Sequence, residues 1–239
     1  MSWTSAAVTR SDSLTRRHAA RISRGRRTVY AATRRSGRLG LLAAPSWNAE
    51  CVATSPEAGS LLFIAVDVHY LADSRARAAA VAAGDRRFAG IAFSGTALVE
   101  AGAAYRPGEF YRRELPPLRA VIPRSGRLAL IVVDGYADLD AAGRPGLGAY
   151  VQAEFGVPVI GVAKTPFRTA THAAQVLRGR SARPLYVTTA GMPVADAAHL
   201  VEEMAGSFRM PDALRLADRL ARGLELPQAT SGSADGDQT

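Results

Sequence analysis

From Leu61 to about Glu225 the chain alternates short apolar runs with stretches of helical period. Strand-length runs are Leu61–Val68 (LLFIAVDV), Phe88–Gly95 (FAGIAFSG), Ala97–Gly102 (ALVEAG), Leu128–Gly135 (LALIVVDG), Val157–Ala163 (VPVIGVA) and Pro184–Gly191 (PLYVTTAG). The second and third read as a strand pair. Helical periods fill the gaps: GEFYRREL, broken or kinked by Pro116-Pro117; LGAYVQAEF; VADAAHLVEEMAG; and PDALRLADRLARGLE, opened by Pro211 and Asp212. This order predicts an α/β domain whose sheet is partly parallel and partly antiparallel.

The ends do not share the pattern. Residues 1–59 are rich in Ser, Thr, Ala and Arg without apolar period, and predict a disordered, Arg-rich leader. A basic arm on phosphates, a transit peptide or an over-extended translation start would have the same composition. Residues 227–239 (PQATSGSADGDQT) predict a frayed tail, which leaves 60–226 as the folded domain. Of the net charge of +9, the leader holds +7, so the basic character belongs mainly to it. With no apolar run of membrane-spanning length, no secretory signal and Cys51 as the sole cysteine, a cytoplasmic protein is expected.

Two carboxylates interrupt this pattern. Asp67 stands inside an apolar strand and Asp134 ends one, and a buried carboxylate must be paired, hydrogen-bonded or bound to a metal. Neither strand offers a basic residue of its own, and a divalent cation, best Mg2+, would hold two facing carboxylates. Asp134-Gly135 also reads as an ordinary turn cap. His69, two residues beyond Asp67, shares its face of the strand. Glu114, one to two turns into a helix starting near Gly108, could face the strand ends or stand exposed beside Arg112 and Arg113, and Glu109 competes for its role. Lys164 is the single lysine among 29 arginines and follows a strand directly.

Read together, YRPGEFYRRE, VVDGYA, PVIGVAKT and IAVDVHY, with PLYVTTAG and FRMPDALRLAD, resemble the motifs of the endonuclease V (deoxyinosine 3'-endonuclease) family, in their order and over about residues 61–225. The resemblance implies a ribonuclease H-like fold: a central five-stranded mixed sheet, strands one to three antiparallel, flanked by helices. It implies that Asp67 and Asp134 bind Mg2+, or Mn2+ as a substitute, that Glu114 supports the metal or its water, and that Lys164 assists at the scissile phosphate. It also implies that Tyr105 is a wedge in the duplex, that Pro107 and Gly108 shape a pocket for hypoxanthine, and that the Gly135 backbone approaches that base. The partner implied is DNA containing deoxyinosine, bound by a monomer without a membrane.

The chain departs from the family pattern at three places. Gly191-Met192 replaces a Gly-His, and a thioether is a poor ligand for a hard cation. Asp134-Gly135-Tyr136-Ala137-Asp138-Leu139-Asp140 lacks the family's histidines and gains Asp138 and Asp140, either metal ligands or loop decoration. The segment from Lys164 to Pro184 is short. The leading expectation is a metal-dependent endonuclease of DNA repair; the alternatives are a non-catalytic nucleic-acid-binding module on the same fold and a related nuclease acting on RNA.

Overall fold

The computed structural model describes residues 46–48, 61–100, 110–124 and 127–224, all within one compact unit, Gly40–Thr239. Its strands are β1 (Ser46–Asn48), β2 (Leu62–Tyr70), β3 (Arg75–Ala83), β4 (Ile91–Glu100), β5 (Leu128–Asp134), β6 (Val159–Ala163), β7 (Ala174–Val176) and β8 (Leu185–Ala190). The helices are α1 (Phe110–Val121), α2 (Leu147–Phe155), α3 (Val194–Glu203) and α4 (Asp212–Ala221). One mixed sheet runs in the order β1-β4-β3-β2-β5-β6-β8-β7.

The expected five-stranded core is present as β2 to β6: β2, β3 and β4 form an antiparallel meander, and β5 and β6 lie parallel to β2 and to each other. Beyond it the sheet gains β1 on one edge, inside the stretch assigned by composition to the leader, and β8 and β7 on the other. The meander differs from the predicted one. Phe88–Gly95 and Ala97–Gly102 are not two strands; their centre is the single strand β4, and its partner is β3, RARAAAVAA, which the pattern did not predict. Alanine is a weak strand former in isolation. Here Ala76, Ala78, Ala79, Ala80, Ala82 and Ala83 are wholly buried between β2 and β4, where small side chains let α1 and α4 approach both faces.

Helix α1 continues through Pro116 and Pro117 instead of breaking there. Each proline removes a backbone donor, but Leu118, Val121 and Ile122 keep the apolar stripe seated on the sheet. The core thus has two layers. Ile64, Val66, Ile131 and Val133 face α1 and α2, while Ala65, Val132 and Val162 face α3 and α4. No helix among the described residues is long and apolar enough to cross a membrane.

Candidate active site

Parallel register brings the two strand carboxylates together. Val66 of β2 pairs with Val133 of β5, so Asp67 and Asp134, each one residue on, are neighbours at the strand ends and point to the α3/α4 face. Asp134 in turn pairs with Val162 of β6, and Lys164, two residues beyond Val162, lies on that same face. Lys164 Nζ donates to Asp134 Oδ2 at 2.6 Å. Such carboxyl ends of parallel strands are where open α/β sheets place ligands.

Glu114 arrives from the opposite layer on α1, 5% exposed, and lines one narrow cavity with Asp67, Asp134, Val66, Val68, Val133, Leu118 and Leu147. The space open to the centre of a water molecule there is about 10 Å³, the scale of a single water or a small cation. Arg113 lies 3.7 Å above the ring of Tyr70. The Tyr70 hydroxyl is buried without a hydrogen bond of ordinary geometry, yet close enough to Glu114 and Arg113 for both to act on it.

The electrostatics are those of crowded anions. Burial first, then the charges of Asp134 and Asp218, push Asp67 up to about 7, against the opposing pull of the Val68 N–H and Lys164. Burial likewise lifts Glu114 to about 7; Asp67 and Asp134 add to this, while Tyr70 and Arg113 pull the other way. Burial works against the Lys164 ammonium, but the hydrogen bond and charge of Asp134, with Asp67 and Asp218, outweigh it and raise Lys164 above its ordinary value.

Asp218 was not among the residues singled out from the sequence. It sits on α4, the helix packed on β2 and β3, beside the buried stripe Ala213, Leu214, Ala217 and Ala221. From there its charge reaches both Asp67 and Lys164, while Arg222 Nε holds its Oδ1 at 2.8 Å. An acid bordering the apolar stripe of a helix was the available signal, but only packing shows that this helix covers the strand carrying Asp67.

The loop after Asp134 is tightly built. Gly135 turns at φ +145°, donates its N–H to Val162 O and has open space where a side chain would stand. The loop then lies directly on β6: a Cβ on Gly161 would stand 2.4 Å from Ala137 N. Ala137 N also donates to buried Thr188 Oγ1. Tyr136 reaches the segment after Lys164, its hydroxyl donating to Thr165 O at 2.8 Å and accepting from Phe167 N at 2.9 Å. Asp140 accepts from Ala142 N and Arg144 N and pairs with Arg144, so it decorates the loop; neither it nor Asp138 lines the carboxylate cavity. Met192 packs against the α3/α4 core cluster. Tyr105, Pro107, Gly108 and Glu109 lie outside the described residues.

The donor set suits a hard cation: the buried Glu114 and the partly buried Asp67 and Asp134 offer carboxylate oxygens whose mutual repulsion a divalent ion would relieve. Among the described residues, no group of three acidic, histidine or cysteine side chains is already drawn to common ligating distance.

A family model described as Endonuclease V matches residues 49–219. The fold is similar to that of Endonuclease V from Streptomyces avermitilis, with 26% identity and TM-score 0.55 over 71% of this chain and 83% of that one. It is also similar to the catalytic domain of human Endonuclease V, with 23% identity and TM-score 0.54 over 72% and 85% of the two chains. A third similar structure is Endonuclease V of Ciona intestinalis in complex with a 23mer DNA containing an inosine followed by a ribo-adenosine, with 17% identity and TM-score 0.56 over 73% and 91%. No curated protein sequence matches the chain. The family match spans most of the described domain, including the strands and helices that carry Asp67, Glu114, Asp134, Lys164 and Asp218, and the chain belongs to the endonuclease V family of nucleases.

Proposed function

We propose that this protein is a magnesium-dependent endonuclease that hydrolyses a phosphodiester bond near deaminated adenine in DNA, and so acts in DNA repair. The observation that carries the proposal is the shared cavity of Asp67, Glu114 and Asp134 with Lys164 ion-paired at its rim. Asp67 and Asp134 would hold Mg2+, or Mn2+ in its place, with Glu114 supporting it from α1. The ion supplies Lewis-acid stabilisation of phosphate charge and a water made nucleophilic at neutral pH.

The chain's own residues do the rest. Lys164 would place a compact ammonium beside Asp134 at the cavity rim, where it can donate to a phosphate oxygen as the transition state gathers negative charge. Asp134 above all, with Asp67 and then Asp218 adding to it, favours the charged form of the lysine. Gly135 keeps the ground beside Asp134 free of side chains, so a base could approach the backbone there. Tyr105 would wedge into the stack, with Pro107 and Gly108 beside the extruded hypoxanthine; an aromatic contact of this kind offsets about 1–3 kcal/mol of lost stacking.

The test is cleavage of one oligonucleotide carrying inosine or adenosine at the same position, with magnesium or EDTA, by wild type and Asp134→Asn. Inosine-dependent cutting in magnesium that is absent from the variant is expected. Equal cutting by the variant would sink the proposal. A second reading, a non-catalytic nucleic-acid-binding module, is favoured by Met192, a thioether packed on the core where the family pattern has a histidine. It predicts binding in EDTA and no cutting in magnesium or manganese.

A further inference from the structure

No acidic residue occurs from 155 to 195, a stretch that carries Lys164, Arg168, Arg178, Arg180 and Arg183. Two arginines near it are turned inward. Buried Arg178 donates to the carbonyls of Glu202, Met204, Gly206 and Phe208, and Arg209 Nη2 joins Lys164 O to Pro184 O at 2.5 and 2.6 Å. These contacts set the positions of the outward-facing side chains.

Ala163 pairs with Tyr186, so the chain leaving β6 at Lys164 and the chain entering β8 through Arg183 and Pro184 run side by side. A Cβ on Gly179, at φ +59°, would stand 2.3 Å from Ser207 O, so the turn carrying Arg180 rests on the Ser207-Phe208 backbone. Arg180 and Arg183 are exposed, and their guanidinium groups pair with no described carboxylate. Phe208 is 56% exposed, with the Arg215 guanidinium 4.0 Å from its ring centre. Beyond the Lys164–Asp134 pair, this end of the sheet therefore presents the exposed cations Arg180 and Arg183 beside a half-exposed aromatic ring, one side of which carries the Arg215–Asp212 pair.

We infer that this surface holds a single strand of nucleic acid continuing from the scissile bond: Arg180 and Arg183 contact its phosphates and Phe208 stacks on an unpaired base. Cations that track the backbone, together with a ring that accepts any base, are the recurring elements of single-strand binding. The inference rests on the nuclease reading above and adds the path of the flanking strand.

Binding to short fluorescent DNA is measured on the full chain in EDTA, so that no cutting intervenes. The leader's arginines are common to all variants, and the readout is the difference between them. In the Arg180→Ala/Arg183→Ala double variant, binding weakens equally for inosine and adenosine strands, and the slope of log Kobs against log salt falls by about 1.4. Phe208→Ala weakens single-strand binding about tenfold and leaves duplex binding unchanged, whereas Phe208→Tyr binds as wild type. An unchanged salt slope, equal effects of Phe208→Ala and Phe208→Tyr, or equal losses on duplex and single strand would overturn it. Cleavage by wild type in magnesium is scored separately, so failure of the nuclease reading shows as lost cutting with this binding pattern intact.

Discussion

Lys164 Nζ and Asp134 Oδ2 meet at 2.6 Å across the parallel strands β5 and β6. The lysine is 45% exposed and the aspartate 23%, so the ammonium sits at the mouth of the carboxylate cavity and not inside it. An ammonium is a compact point charge with rotatable donors; a guanidinium is a broad planar fork. On the proposed function, position and shape together favour lysine over arginine at this one place.

Lys164→Arg keeps the charge and loses the shape. It is expected to lower kcat about a hundredfold, the scale of losing one transition-state donor, while nucleic-acid affinity in EDTA changes little. Single-turnover cleavage beside a binding titration checks this, and equal activity would make the lysine an accident of composition.

Asp67 and Glu114 link stability to pH in a stated direction. Both titrate at about 7 in the folded protein and near 4 when unfolded. The folded state therefore binds more protons, and their contribution is fully present below about pH 4 and is lost as pH rises through about 7. In EDTA, the melting temperature of wild type relative to Asp67→Asn should fall between about pH 5 and pH 8. Magnesium should restore it at the higher pH, and a pH-independent difference would contradict the burial of this carboxylate.

Asp218 adds negative charge beside Asp67 and Lys164 from a different helix. Asp218→Asn is expected to weaken magnesium binding, seen as a higher metal concentration for half-maximal cleavage, without loss of α4 packing. Its side chain borders the buried stripe and is not part of it, so thermal stability should change by less than about 1 kcal/mol.

Gly161→Ala tests the floor of the site. The added Cβ would stand 2.4 Å from Ala137 N and 2.7 Å from Gly135 O, backbone atoms that cannot swing aside. Overpacking of this kind costs about 3 kcal/mol and should displace the loop that follows Asp134. Chemical denaturation measures the loss, and a fall in cleavage at temperatures where the variant is still folded measures the displacement.

Rules that act over a few neighbouring residues reach part of this molecule. Apolar runs and helical periods located β2, β5, β6, β8 and α2 to α4, and the penalty for a bare buried carboxylate marked Asp67 and Asp134. Tertiary structure decided the rest. The alanines of β3 form a strand because neighbours on both sides bury them, and α1 survives two prolines because its stripe is anchored. Asp218 joins the site only through the packing of α4 on β2, and Asp67 meets Asp134 only through the β2–β5 register. Each depends on residues far apart in the chain coming into contact, which no local period records.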